Sequence, residues 1–396
     1  MVFADWSGMV WRVRASNGSV LWKRHLGKVE KSWPWHGFAG TGAIFATDGI
    51  LVEASVEGTA WGIDLRSGKV LWTTKLSSNK YEGNISDLMA YEGKHVAYVG
   101  MSSVDEPLSQ AVPGFIVDAR GSVIALDEKT GKLAWQTYMV EPPATGGAVW
   151  SSFALDPAAG TLYCDTGNNY TGSPTELTDA MLALDADTGA IRWHVQVTHD
   201  DVWIPTLPFG PDFDFGGGAQ LVTVGSGASA RTLVCGGQKS GVYWAFDAAT
   251  GTIAWHTPVG TGPEGQRGEA SIAGGVIYDW SDVRWDDSLP PSQFPMMVAA
   301  LDAATGDVIW HKQVQPANVA SAGFLANDVY FLGDAAGTIK AYRGSDGKVL
   351  WTGKTPKHAS VGSSLWAQGR FLYAGTNVPG IGRQGPTGLV AYAVNR

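Results

Sequence analysis

The 396-residue sequence has only two cysteines, Cys164 and Cys235, both inside strand-like runs. Two thiols so placed exclude a disulfide framework and read as buried side chains. There is no Cys-x-x-Cys-His haem-attachment motif. Positive charge is scarce as well. Lys and Arg number 28 against 37 Asp and Glu, for a net charge of −9 at pH 7, and no basic run stands out. A nucleic-acid partner needs a basic stripe, so that class is excluded. No apolar run approaches the roughly 18 residues of a membrane span. The opening MVFADWSG lacks the basic and apolar regions of a secretory leader, so no export signal is expected. The eight histidines show no His-x-x-x-His spacing, and neither a Gly-x-Ser-x-Gly elbow nor a phosphate-binding loop occurs.

What the sequence has in abundance is glycine (52), tryptophan (18) and self-similarity. The segments GMVWRVRASNGSVLW (8–22), GTAWGIDLRSGKVLW (58–72), GSVIALDEKTGKLAW (121–135), AMLALDADTGAIRW (180–193), GVYWAFDAATGTIAW (241–255), MVAALDAATGDVIW (297–310) and GTIKAYRGSDGKVLW (337–351) repeat one pattern. An eighth copy, GLVAYAV (388–394), stops before its turn. Each copy is a strand of alternating small and apolar residues, an Asp-x-x-Thr-Gly turn, and a strand closed by Trp. The Asp and Thr side chains bond turn backbone, and Gly supplies positive φ. Two further strands follow each Trp. The reading is an all-β, eight-bladed β-propeller of four-stranded antiparallel blades, occupying 1–396 as a single domain. Seven blades with shared closure is the alternative count. The first blade should lack its innermost strand and the last its outermost. The recurrent Trp should pack between blades. Irregular insertions fall at 102–120, 168–179, 199–219 and 280–296, where binding and chemistry are expected.

The repeat ALDxxTGxxxW resembles the quinoprotein dehydrogenase repeat along essentially the whole chain. The segments 149–170, 178–193 and 236–251 are similar to the polyvinyl-alcohol-dehydrogenase branch, and more distantly to the methanol-dehydrogenase branch. That resemblance implies a pyrroloquinoline quinone (PQQ) and a Ca²⁺ ion. Trp150, ahead of Phe153 and Asp156-Pro157, would carry the planar quinone. Asn168, eighteen residues later in TLYCDTGNNYTG, would ligate Ca²⁺ through its amide oxygen, a hard donor. As a residue pattern alone, Asn168-Asn169 is equally an Asx turn. In GMSSVDE (100–106), Ser102 matches a cofactor-bonding residue and Asp105 the carboxylate ligand, with Glu106 as its neighbour. Lys239, in GGQKSG, would polarise the quinone carbonyls.

The departures from that pattern are as specific. The vicinal cysteine pair of the methanol-type enzymes is missing. Their general base follows a Trp directly; the comparable Trp here, Trp203 in HDDVWIP, is followed by Ile204. Asp200, Asp201 and His199 are the substitutes within reach of the same loop. The segment 268–285 lacks the Trp and Asn expected there. The acidic FGPDFDFGGG (209–218) is a candidate cation binder, but Asp in a Gly/Pro loop is ordinary turn chemistry. The expected activity is PQQ- and Ca²⁺-dependent oxidation of an alcohol, a small-molecule substrate, with the electron acceptor open. One alternative is a cofactor-free cyclase or isomerase of a hydrophobic metabolite, suggested by Trp33, Trp35, Trp280 and Trp285. Another is a non-catalytic propeller that binds a partner. Members with this pattern are usually exported.

Overall fold

The computed structural model describes residues 1–5, 7–26, 42–45, 49–103, 105–262, 265–283, 295–314, 323–361, 365–376 and 388–393. Trp33, Trp35 and Trp285 lie outside them. Each copy of the repeat forms one antiparallel sheet, a blade, and eight blades are present. They fall into two compact units, Met1–Asp214 and Phe215–Arg396.

The first unit holds blades 1 to 4. Blade 1 has three strands, Val2–Ala4, Met9–Val13 and Val20–His25. Blade 2 has Gly42–Phe45, Ile50–Ala54, Thr59–Asp64 and Val70–Lys75. Blade 3 is built on Val96–Ser103, which pairs on one side with two short pieces, Glu82–Gly83 and Met89–Tyr91. Its other strands are Ser122–Asp127 and Leu133–Tyr138. Blade 4 has Ala154–Asp156, Thr161–Asp165, Ala180–Asp185 and Ile191–Gln196.

The second unit holds blades 5 to 8. Blade 5 comprises Gln220–Val224, Arg231–Gly237, Val242–Asp247 and Ile253–Pro258; blade 6 comprises Ser271–Ala273, Val276–Asp282, Met296–Asp302 and Val308–Val314. Blade 7 comprises Phe324–Ala326, Val329–Gly333, Thr338–Arg343 and Val349–Lys354, and blade 8 Trp366–Gln368, Phe371–Thr376 and Gly388–Ala393. Blades 1 and 8 are therefore three-stranded among the described residues, as the repeat phase requires.

Small and branched residues alternate along the central strands because both faces of each blade are covered by its neighbours. Val52, Ala54, Val99 and Ile124 form one such layer; Val123, Ala125, Leu162 and Leu182 form the next. The outer strands have only one covered face, and their alternate residues, Leu71, Leu133 and Ile309, stay exposed.

In five blades the Trp-closed turn is locked to the following blade of the same unit. The indole N–H of Trp22 donates to Leu65 O (2.9 Å), of Trp72 to Glu128 O (2.8 Å) and of Trp135 to Ala186 O (3.3 Å). In the second unit, Trp255 donates to Ala303 O (3.1 Å) and Trp310 to Gly344 O (2.6 Å). The indole lies against the turn glycine of the neighbour. A Cβ at Gly131 would stand 2.4 Å from Trp72, and one at Gly189 2.4 Å from Trp135. The glycine is thus needed twice, for its positive φ and as the floor under the tryptophan. This bears out the structural role expected for the recurrent Trp.

Candidate functional site

The first unit carries the irregular loops of blades 3 and 4, and they converge on the turn Thr166-Gly167-Asn168-Asn169. The two asparagines do different work. Asn169 is a loop organiser: its Oδ1 accepts from Thr175 N (2.9 Å), Thr175 Oγ1 (3.3 Å) and Thr178 Oγ1 (3.0 Å). It thereby shapes the insertion 168–179. Asn168 instead commits its amide nitrogen to two carbonyls, Asn169 O and Trp203 O, each at 2.7 Å. Both partners are acceptors, so the nitrogen must face them. The Asn168 Oδ1 is then the end left for a ligand.

Three elements pack beside this turn. The strand Asn169–Thr171 pairs with Thr145–Gly146 and lies against the hairpin Trp203–Ile204/Leu207–Pro208. The short helix Glu106–Ala111 lies against the same hairpin. The segment leading to Trp150 is clamped between them: Gly147 N donates to Asn168 O (2.8 Å), and Val149 N to Met101 O (3.2 Å). Ser102, Trp150, Asn168 and Trp203 are therefore neighbours along one backbone network. Trp150 and Trp203 are half-buried, and Ser102 is buried.

The acidic candidates divide sharply. Asp105 is enclosed and works as a staple. It accepts from the Ser103 hydroxyl, from Asp118 N (2.8 Å) and from Ala119 N (3.1 Å). Burial pushes its carboxyl up despite those bonds. Glu106, one residue on, is half-buried at the start of the helix. Asp201 likewise accepts backbone amides on both oxygens, Asp212 N at 3.3 Å and Phe213 N at 2.8 Å. Those bonds close the 201–213 loop and give Asp201 a structural job. Asp200 and His199 are exposed, and His199 Nδ1 meets Gln196 Oε1 at 2.9 Å.

The residue that sequence reading passed over is Asp214. Its Oδ1 accepts the Asn168 backbone N–H at 2.7 Å. It also explains Gly167, whose Cβ would lie 3.0 Å from the Asp214 carboxyl. Asp214 follows Trp203 by eleven residues. The intervening chain folds back on itself, with Phe209 N and Gly210 N both donating to Val202 O (3.1 and 3.0 Å). The loop-out returns Asp214 to the turn on which Trp203 also rests. The available signal was the Asp-Phe-Asp-Phe run before three glycines, read as ordinary turn chemistry.

At the centre stands Tyr170. Burial raises its hydroxyl far above the usual range, and the charges of Glu106, Asp214 and Asp105 raise it further. These three carboxylates and Asn168 thus share one neighbourhood. Among the described residues no three His, Cys, Asp or Glu side chains form a metal cluster on their own. The donor set suits a hard cation completed by an amide oxygen and by oxygens of a bound organic group.

Lys239 belongs to the second unit. It sits in the turn after Arg231–Gly237, half-buried, and its carbonyl accepts Gly265 N at 2.8 Å. Trp280 is fully buried in the strand Val276–Asp282 and is core, not a loop aromatic.

Residues 116–270 match the family model described as the glucose/ethanol/alcohol dehydrogenase β-propeller domain. Residues 239–392 match the one described as outer membrane protein assembly factor BamB. A polyvinylalcohol dehydrogenase from a Pseudomonas species is 30% identical over 87% of the chain and 58% of its own length. The chain thus spans less than two thirds of that relative. Among solved structures, the quinohemoprotein alcohol dehydrogenase from Comamonas testosteroni superposes with a TM-score of 0.75 at 16% identity, over 99% of this chain and 72% of that one. BamB from Moraxella catarrhalis gives 0.64 at 16% identity, over 100% of this chain and 93% of the other. These likenesses show the fold, an eight-bladed β-propeller. No helix among the described residues is long and apolar enough to cross a membrane.

Proposed function

We propose, from the premise that this chain belongs to the PQQ-type quinoprotein β-propeller superfamily, in its polyvinyl-alcohol-dehydrogenase-like branch, that it oxidises an alcohol with PQQ and Ca²⁺. The observation that carries the reading is Asn168: Trp203 O and Asp214 Oδ1, each 2.7 Å away, hold the residue so that its amide oxygen is left for a cation. Asn168 and Glu106 would hold Ca²⁺; Asp105 would keep the loop between them in shape. Trp150 would bear the flat ring, and Ser102 would line its edge. When bound, the quinone supplies the two-electron acceptor, and the cation withdraws charge from it as a Lewis acid.

The protein's own part is proton handling and orientation. Asp214, buried beside Asn168, is the base we assign for the alcohol hydroxyl. The Asn168 backbone N–H donates to one carboxylate oxygen, which fixes the rotamer. Asp200 and Asp201, the bases expected from the sequence, give way to it: one is exposed and the other is occupied by backbone amides. Lys239, as the polarising cation, rests on the resemblance alone.

Titration of the protein with PQQ plus Ca²⁺ tests the reading. The expected result is a change in quinone absorbance and dye-linked alcohol oxidation, both lost in Trp150→Ala and Asn168→Ala. No absorbance change and no oxidation would sink it.

A further inference from the structure

Two loops of the first unit carry apolar side chains that the packing leaves in water. Among the described residues, the most exposed large hydrophobic side chains are Ile116 and Phe209, both 79% exposed; the next is Leu133 at 55%. Leu133 lies on an outer strand, where one uncovered face accounts for it. Ile116 and Phe209 lie on no strand, so the blade pattern does not account for them. Apolar tips of this kind mark a surface that a ligand or partner covers.

Both tips are held on fixed backbone. In the insertion 102–120, Phe115 and Val117 turn inward to pack with Tyr170 and Ile204, which leaves Ile116 between them facing out. In the other loop, buried Ile204 pairs across the hairpin with Leu207, 42% exposed. Phe209 N donates to Val202 O (3.1 Å) and to Leu207 O (3.0 Å), which sets the backbone under the ring. Ile204 therefore ties the two loops together. The same hairpin presents the Trp203 carbonyl that holds Asn168 at 2.7 Å, and Asp214 follows Phe209 by five residues. The apolar tips thus belong to the loops that carry the hydroxyl-handling residues.

The charge on these loops is one-sided. Residues 102–120 carry three acidic side chains and one Arg; residues 199–214 carry four acidic side chains and neither Lys nor Arg. The arginine, Arg120, is turned onto Tyr138, its guanidinium 3.9 Å from the ring centroid, and it donates to Val140 O at 3.3 Å. Lys80, outside both loops, lies 4.7 Å over the Tyr81 ring, which meets Phe115 edge-on at 5.3 Å. An alcohol that carries a carboxylate or a phosphate meets net negative charge on these loops.

We propose that Ile116, Leu207 and Phe209 are specificity-determining residues: they take the aliphatic chain of a neutral alcohol, while the acidic loops around them disfavour hydroxy acids. The inference rests on the reading of Asn168 and Asp214 as an alcohol-oxidising site and names the substrate class of that site, neutral alcohols with a chain of several methylenes.

Ligand-observed NMR titration of the protein, with no quinone added, measures binding of ethanol, 1-butanol, 1-hexanol and 6-hydroxyhexanoate. Each methylene moved from water onto the tips should tighten binding about threefold, so 1-hexanol should exceed 1-butanol by about tenfold. 6-Hydroxyhexanoate should bind about fivefold more weakly than 1-hexanol at low salt, and the gap should narrow as salt screens the carboxylates. Phe209→Ser and Ile116→Ser should each flatten the chain-length series. In the PQQ- and Ca²⁺-loaded protein, kcat/KM should follow the same order, and both variants should leave ethanol oxidation within about twofold of native. A flat series in the native chain, a steep series unchanged in both variants, or equal binding of the hydroxy acid would each overturn the proposal. The native series and the hydroxy acid test it even where a variant fails to fold. The two readings fail separately. Chain-length-dependent binding without oxidation supports the role of the tips and removes the quinone chemistry, whereas oxidation indifferent to chain length keeps the chemistry and removes the tips.

Discussion

The blade turns and the irregular loops use aspartate in the same hydrogen-bonding role and with opposite consequences. In the turns, Asp127 Oδ1 accepts Thr130 N (2.8 Å) and Thr130 Oγ1 (2.7 Å), and Asp185 Oδ1 accepts Thr188 N and Thr188 Oγ1, both at 2.9 Å. Those carboxyls are lowered, Asp185 to about 2, with the Arg192 and Thr188 hydrogen bonds as the main causes. In the loops, Asp105 accepts just as many donors, yet its carboxyl is raised. The number of hydrogen bonds does not decide the outcome; access to water does. The repeat keeps its aspartates charged and wet, as staples. Asp105, in a loop, is enclosed, and burial there favours the protonated form.

The largest effect that would break this comparison is at Asp214. Asp214→Asn preserves an acceptor for the Asn168 amide and removes the basicity. The PQQ- and Ca²⁺-loaded protein should lose about 10²- to 10⁴-fold in kcat, with little change in melting temperature. A kcat within about threefold of native would return Asp214 to the class of staples.

Next comes the structural half. Gly18 and Gly189 occupy the same place in the repeat, with φ of 71° and 72°. A Cβ at Gly18 meets nothing within 4 Å, whereas one at Gly189 meets Trp135 at 2.4 Å. Gly18→Ala should cost about 1 kcal/mol, the strain of a left-handed backbone. Gly189→Ala should cost about 2–4 kcal/mol, because overpacking of the indole is added to the same strain. Urea unfolding of the pair isolates the tryptophan contact. Equal losses would mean that the indole simply moves aside.

The same contrast explains what was legible beforehand. The blades could be read because each strand, turn and Trp follows a local rule repeated along the chain, and the indole-to-carbonyl bonds only confirm it. Asn168, Trp150 and Ser102 could be nominated because their spacing to one another is written in the sequence, and the structure brings their backbones together. Asp214 was not, because its place depends on the 203–210 hairpin looping out, and no local pattern announces that the chain will return. Asp105 and Asp201 were named as chemistry and turned out to be engaged with backbone amides. Which NH groups a carboxylate meets depends on loop paths that only tertiary structure sets.

The smallest effect concerns pH. Asp185 lies near the surface, paired with Arg192 at 2.8 Å, and its carboxyl stands at about 2 against the ordinary 3.8. A carboxyl lowered by folding stabilises the native state above the unfolded value. That stabilisation is lost as pH falls from about 4 to about 2. Because solvent screens the pair, Asp185→Asn should cost no more than about 1 kcal/mol near neutrality. The difference from the native chain should close on acidification. Asp279→Asn should behave in the opposite sense. Its carboxyl is raised by folding to about 8, so the native chain loses stability relative to the variant as pH rises from about 4 to about 8. Chemical unfolding of both variants from about pH 2 to about pH 8 gives two slopes of opposite sign, the Asp185 one below about pH 4 and the Asp279 one above it, if burial divides the aspartates. Slopes of the same sign would erase the division.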